Sequence, residues 1–269
     1  MTKFLSNLFS FLFNITIFFL PKWKKITCKA RLHHLLEPIY ETKINNKNIK
    51  LFSPNRKCIY WLRTGPHSEP STNEWISSFS KDDVLVDVGA NIGLYSLFAG
   101  ISGIRKVYAI EANPFSFSVL SRNIIENGLS DKIIALCLPI GGSSSIIKFN
   151  LSSNEAGTIG NEIASKNAQE KKLSFISASF SLDELFKIQN ITNVNHLKID
   201  VDGIEKDILM GARNLLSNSD LKSVLVEDIE GYKKGRNELD KLMANYGFSN
   251  SIAWGQDGSA NKIYKKQSA

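Results

Sequence analysis

The sequence predicts an α/β fold built on a mainly parallel sheet, and three features carry that expectation. Val84 to Val88 is a short β-branched run of the kind buried on both faces, and it passes through a glycine-bearing turn into a helical pattern. Lys106 to Ile110 repeats the strand pattern and ends at Glu111, about 22 residues after Gly89. That is the offset at which a ribose-binding acid is expected in a nucleotide-binding βαβ unit. Beyond it, strand-like and helical runs alternate, and Phe248 to Trp254 with Asn261 to Tyr264 suit a closing antiparallel hairpin.

A chain of 269 residues with 43% hydrophobic content can hold one α/β domain of ordinary size and an extension. Its net charge of +7 is unevenly spread. Residues 1–63 carry 12 Lys or Arg against 2 acids, and residues 64–269 carry 21 against 24. A protein that grips nucleic acid surrounds its site with cations to displace phosphate counterions, so a mildly acidic main domain argues against such a partner. Cys28, Cys58 and Cys137 are odd in number, far apart and in no C-x-x-C pair. Neither a disulfide framework nor a zinc site is indicated, and a reducing, cytoplasmic setting fits.

Taken in order, the chain divides into a hydrophobic anchor or interfacial helix at 1–25, a basic extension at 26–80 and the main domain at 81–269. Phe4 to Leu20 carries no charge and stops at Pro21-Lys-Trp-Lys-Lys25. About 17 residues is the lower limit for spanning a bilayer. Lys3, Asn7, Ser10 and Asn14 fall at helical spacing, a narrow polar stripe that suits a helix lying in the membrane interface or packed on a partner. No small-residue cleavage site follows, as a signal peptide would require. If the segment spans, the excess of Lys22, Lys24, Lys25, Lys29 and Arg31 over Lys3 keeps the main domain in the cytoplasm. Trp23 suits the headgroup level, with each nearby lysine drawn to anionic lipid by about 1 kcal/mol. The competing reading is a helix packed on its own domain or on a second copy. In the extension, His33 and His34 lack a third ligand nearby and read as solvated side chains on a basic helix. Gly65-Pro-His-Ser-Glu-Pro70 reads as a loop, with His67 unplaced.

The turn after the first core strand reads D-V-G-A-N-I-G. Gly89 and Gly93 let the backbone bend sharply and approach a ligand, and a helix beginning near Asn91 would point unpaired N–H groups at it. The dinucleotide fingerprint G-x-G-x-x-G would need glycine where Asn91 and Leu94 stand. Asp87, two residues before the first glycine, would face the cationic amino end of an amino-acid-bearing nucleoside, a group that S-adenosylmethionine has and NAD lacks.

Pro114 starts a helix that runs to about Asn127 and is closed by Gly128, and Lys132 to Leu138 is the third strand. The turn Leu138-Pro-Ile-Gly-Gly142 would lie beside an adenine ring. Ile146 to Leu151 and Leu173 to Phe180 read as strands around a long polar segment, 152–172, which is a substrate lid or disordered. Ser181 caps a short helix over 182–187, with Glu184 at the capping-box position. His196 to Ile199 is the fourth strand, Ile204 to Leu216 a helix, Ser223 to Val226 the fifth strand, and Arg236 to Tyr246 a helix stopped by Gly247.

Five segments, in this order, resemble the FkbM family of S-adenosylmethionine-dependent methyltransferases. They are Val86-Asp-Val-Gly-Ala-Asn-Ile-Gly93, Ala109-Ile-Glu-Ala-Asn-Pro114, Ser181-Leu-Asp-Glu-Leu185, His196-Leu-Lys-Ile-Asp-Val-Asp-Gly-Ile-Glu205 and Val224-Leu-Val-Glu227. The similarity covers roughly residues 80–250, and the family's usual Asp-Val-Glu-Gly reads Asp-Val-Asp-Gly here. The resemblance implies a Rossmann-like class I methyltransferase fold, with a mainly parallel seven-stranded sheet, an antiparallel C-terminal hairpin and, in this chain, an N-terminal helical extension. It implies S-adenosyl-L-methionine as cofactor, held by Asp87, Gly89, Ala90, Asn91, Gly93, Glu111, Ala112, Asn113 and Leu138.

Methyl transfer to a hydroxyl is an in-line displacement that needs alignment and a base for the departing proton. Asp202 and Glu205 are the first candidates for that base, with Asp200 holding the strand end or the cofactor's methionine part; all three follow the fourth strand, where ligands of open α/β sheets bind. His196, at the start of that strand, reads as a core or edge histidine. Asp200, Asp202, Glu227 and Asp228 are also hard-oxygen groups of the kind that hold Mg²⁺, but the resemblance requires no metal and none is assigned. The acceptor implied is a hydroxyl of a sugar in a glycan or glycolipid. The alternatives are a small soluble metabolite such as a polyketide and, from other classes, an NAD-dependent sugar reductase or a silent binding module.

Overall fold

A computed structural model describes residues 2–164, 173–228, 238–252 and 260–267, and the chain divides into two compact units, Met1–Pro38 and Ile39–Ala269. In the first unit, α1 (Thr2–Thr16) and α2 (Lys22–Leu35) flank Pro21, which precedes the first residue of α2. The uncharged run therefore does not form one helix to Leu20. Among the described residues, no helix is long and apolar enough to cross a membrane. Phe4, Phe9, Phe11 and Leu12 are exposed.

In the second unit a hairpin, β1 (Ile39–Ile44) and β2 (Lys47–Phe52), leads to α3 (Arg56–Ser68) and α4 (Pro70–Ser77). The segment expected as an extension at 26–80 is thus split, and residues 39–77 belong to the same unit as the sheet. The expected loop at Gly65–Pro70 is helical instead. Pro66 is accommodated in the last turns of α3, and Pro70 opens α4 at the position where its missing N–H costs nothing. His67 is exposed on α3.

The core elements are β3 (Val84–Val88), α5 (Leu94–Ser102), β4 (Lys106–Ile110), α6 (Pro114–Glu126), β5 (Ile133–Leu136), α7 (Leu182–Gln189), β9 (His196–Ile199), α8 (Glu205–Met210), α9 (Arg213–Ser217), β10 (Ser223–Glu227), α10 (Glu238–Ala244), β11 (Phe248–Ile252) and β12 (Asn261–Lys266). The seven-stranded sheet runs β11-β12-β10-β9-β3-β4-β5, parallel from β10 to β5, with β12 antiparallel to both its neighbours. Both faces are covered. Val84, Val86 and Val88 point into one core with Leu197 and Ile199, while Leu85 joins a second with Leu97, Phe98 and Leu120. Full burial of each such side chain is worth about 1.5–3 kcal/mol, which explains why these strands lack polar alternation.

The helix expected over Ile204–Leu216 is broken at Gly211, where a β-carbon would meet the carbonyl oxygens of Gly142 (2.8 Å) and Gly141 (3.0 Å). Close approach of the 141–142 turn, invisible in the local pattern, divides it. Three further strands, β6 (Ser145–Asn150), β7 (Glu162–Ile163) and β8 (Ser174–Ser179), form a separate antiparallel sheet in the order β7-β6-β8. Half of the segment expected as a lid or as disordered is therefore structured through β7; residues 165–172 lie outside the described residues, as do Arg236, Asn237 and Trp254 of the expected C-terminal elements.

Candidate active site

Strand order reverses on either side of β3, and the cleft opens at the carboxyl ends of β3, β4 and β9, as sheets of this type dictate. Gly89 (φ +85°), Asn91 (φ 51°) and Gly93 (φ +93°) all occupy the left-handed region. A β-carbon at Gly89 would lie 1.9 Å from the Asp200 carbonyl oxygen, so glycine here lets the ends of β3 and β9 close on each other. At Gly93 it would lie 2.5 Å from Leu120 of α6. Gly89 lines the cleft but Gly93 does not; its freedom serves helix packing rather than ligand approach. Helix α5 begins at Leu94, three residues later than expected, because the left-handed turn continues through Gly93.

Glu111 organises that turn. Its Oε2 accepts from the Asn91 N–H (2.7 Å) and its Oε1 from the Asn113 N–H (2.7 Å). Burial raises its pKa to about 7 against the lowering effect of those two donors. Asn113 is the N-cap of α6, accepting from the Phe115 N–H, and does not line the cleft. Ala90, Ala112 and Leu138 do, beside Ile110, Pro139 and Ile140.

The deepest charge is Lys198, which the sequence reading passed over. Its side chain is 1% exposed, with Nζ 2.6 Å from Asp200 Oδ2, 3.7 Å from Asp87 Oδ1 and 5.3 Å from the centre of the Tyr95 ring. Asp87 and Lys198 are register partners on β3 and β9, which puts them on one face, and Asp200 shares it by the two-residue strand period. Asp87 Oδ2 accepts from the Ser96 hydroxyl (2.6 Å), whereas its Oδ1 is buried and has no hydrogen-bond donor. Burial raises the Asp87 pKa, opposed chiefly by Lys198. Burial would lower that of Lys198, but Asp200, Asp87 and Glu69 together raise it. Glu69 lines the cleft and accepts from Thr72 and Asn261 (both 2.9 Å); burial, then Asp200, raises its pKa. Lys198 had a signal, a lysine alternating with an aspartate in a buried strand; Glu69, in what read as a loop, had none.

Of the three candidate acids after β9, Asp200 and Asp202 line the cleft and Glu205 does not. Glu205 is buried at the start of α8, accepting from the Gly203 N–H (3.1 Å), and burial raises its pKa to about 7. Asp202 Oδ2 accepts from the N–H groups of Gly160 (2.7 Å) and Asn161 (3.0 Å). Burial raises its pKa against those two donors. This carboxylate clasps the segment that roofs the cleft with Thr158, Ile159, Asn161 and Glu162. On the other side, Trp61 Nε1 donates to the Gly157 carbonyl (2.9 Å) and Asn55 to that of Ala156 (3.1 Å). The cleft space, part of it open to solvent, is about 1100 Å³.

His196 lies at the opposite end of the sheet. Its ring is stacked on Phe79 and bonded to Asp83 (3.0 Å) and Ser223 (2.7 Å), whose hydroxyl also accepts from Trp75 Nε1 (2.8 Å). Every polar atom of this buried cluster is thereby satisfied, which marks scaffold. Among the described residues, no group of three or more His, Cys, Asp or Glu is arranged to hold a metal ion.

The methyltransferase FkbM domain matches residues 87–249. The chain is 30% identical over 173 residues to the hexuronic acid methyltransferase AglP of Haloferax volcanii, covering 64% of this chain and 66% of that one. It is 27% identical over 151 residues to methyltransferase 1 of Beauveria bassiana, covering 51% and 61%. The crystal structure of methyltransferase FkbM from Methylobacillus flagellatus superposes with a TM-score of 0.52 at 15% identity, over 74% of this chain and 47% of that one. The chain thus spans less than two thirds, or close to it, of the length of these relatives.

Proposed function

The chain belongs to the FkbM methyltransferase family, and from that premise we propose that it is an S-adenosylmethionine-dependent O-methyltransferase acting on a sugar hydroxyl of a glycan or glycolipid. The observation that carries the cofactor reading is the buried Asp87 carboxylate, a cleft-lining group whose Oδ1 lies 3.7 Å from the Lys198 ammonium and within hydrogen-bond distance of no donor. A buried acceptor short of a hydrogen bond costs about 1–3 kcal/mol, and a ligand ammonium would lessen that cost. Asn91 Oδ1, buried and without a hydrogen-bond partner in a cleft-lining residue, is a further polar atom with capacity for the same guest. Glu111 retains lone pairs for ribose hydroxyls, and Ala112, Leu138 and Ile140 offer an apolar bed for the base. When bound, the cofactor supplies an electrophilic methyl carbon.

Asp202 is the proton acceptor in this reading. It lines the cleft, its Oδ1 is left by the two N–H donors, and burial makes it more basic than an exposed aspartate. The sugar assignment is supported by likeness to a hexuronic acid methyltransferase. A small soluble metabolite is the second reading, favoured by the partial cover that Thr158, Ile159, Asn161 and Glu162 give the cleft. Equilibrium binding of S-adenosylmethionine, with NADH as control, tests the cofactor. Mass spectrometry of surface glycans with and without the gene tests the acceptor, where an unchanged methyl content rejects the glycan.

We further propose that the first unit rests on a membrane surface. Helix α1 exposes Phe4, Leu8, Phe9 and Phe11, and the next helix carries Lys22, Lys24, Lys25, Lys29 and Arg31. A short apolar helix followed by cations matches an anionic lipid surface without crossing it. Co-sedimentation with phosphatidylserine vesicles tests this, and equal recovery with neutral vesicles would reject the electrostatic part.

A further inference from the structure

We propose that Lys198 is a positioning residue of this site, an internal counter-cation that holds Asp87 and Asp200 as oriented anions beneath the donor end of the cleft. The inference rests on the cofactor reading above and goes beyond it, because that reading needs only Asp87 and Glu111. The Lys198 side chain is 1% exposed and ends between Asp200 and Asp87 at 2.6 and 3.7 Å, under the face of Tyr95. An ammonium buried in such a setting survives only if carboxylates surround it, and reciprocally those carboxylates stay ionised out of water only with a cation beside them.

The consequence concerns charge before and during binding. Asp87 faces Lys198 from β3 and Asp200 from just after β9, Glu111 follows β4 and adds its charge beside Asp87, and Asp202 lies two residues beyond Asp200. Glu69 lies ahead of α4, Glu227 ends β10, Glu205 starts α8, and Tyr95 of α5 lies over the ammonium. With Lys198 present, its charge opposes the effect of burial on Asp87, and a cationic ligand meets carboxylates already aimed. Without it, the buried carboxylates left behind take up a proton in the free protein. A cationic ligand must then displace that proton, and binding becomes coupled to its release.

Calorimetric titration of the full chain with S-adenosylmethionine, in buffers of different ionisation enthalpy between pH 6.5 and 8.5, counts the protons released. Lys198→Met is expected to release about one proton more than the unaltered protein. Its affinity should then rise with pH more steeply, by up to about tenfold per unit. The thioether 5′-methylthioadenosine, which lacks the amino-acid ammonium, should show a smaller difference. If Lys198→Met does not fold, Lys198→Met/Asp200→Asn, which removes one charge of each sign, carries the same titration through Asp87. An unchanged proton count in the variant that folds overturns the role of Lys198 and leaves the cofactor reading standing. Failure of the unaltered protein to bind S-adenosylmethionine overturns both.

Discussion

Asp87, Glu111 and Gly89 each act through one atom or its absence. Replacing Asp87 with Asn removes the charge that would pair with a ligand ammonium, so S-adenosylmethionine should bind more weakly by about 2 kcal/mol, roughly thirtyfold in Kd by calorimetry. Gly89→Ala is expected to be more severe, because its β-carbon would collide with the Asp200 carbonyl at a positive φ. A loss of about 3 kcal/mol or more should appear in denaturant unfolding. His196 makes a separate prediction at the far end of the sheet. Burial holds its pKa down to about 4, below the value near 6.5 of the unfolded chain. The unfolded state therefore binds more protons between those values. The contribution to stability is full above about pH 6.5 and is lost as pH falls toward 4, on the order of 3 kcal/mol. Thermal unfolding of His196→Gln should depend less on pH across that window than unfolding of the unaltered protein.

Among elements, the roof is the one whose position follows from a few bonds. The segment from Ala156 to Ile163 is tied on one side to Asn55 and Trp61 and on the other to Asp202. Asp202→Asn keeps an oxygen acceptor for the Gly160 and Asn161 N–H groups but removes the proposed base, so kcat should fall about 10²–10⁴-fold with cofactor affinity retained. Asp202→Ala removes both, and hydrogen exchange at the Gly160 and Asn161 amides should also accelerate. Equal exchange in the two variants would show that the clasp does not hold the roof. The roof was legible only in part, since strands β6 and β8 follow from their apolar runs, whereas their pairing into a sheet separate from the seven-stranded one depends on contacts far apart in the chain. Likewise, the expected helix over 204–216 was periodic throughout, and only the approach of the Gly141–Gly142 turn divides it.

Across the whole molecule, the hydrophobic clusters of the second unit are drawn from Ile44 onward. A chain truncated to residues 39–269 is therefore expected to fold and to bind S-adenosylmethionine, while losing recovery with anionic vesicles. A collapse of its unfolding transition would assign the first unit a part in stability instead. The uneven charge does not follow this division, since residues 1–38 carry 6 Lys or Arg against 1 acid and residues 39–63 again 6 against 1, while the cleft is lined by carboxylates with Lys198 among them.

The sequence by itself determined the strand–turn–helix order, the two acids at the ends of β3 and β4, and the closing hairpin. Each of these is written in a local period or a fixed offset, and burial on both faces leaves such strands little choice of residue. Tertiary structure alone decided that Gly93 serves packing and Asp202 grips the roof, that Glu205 turns away from the cleft, and that Lys198 and Glu69 join it. Those roles arise where segments distant in sequence meet, and a carboxylate's partners are fixed by what the fold brings within about 3 Å of it rather than by its neighbours along the chain.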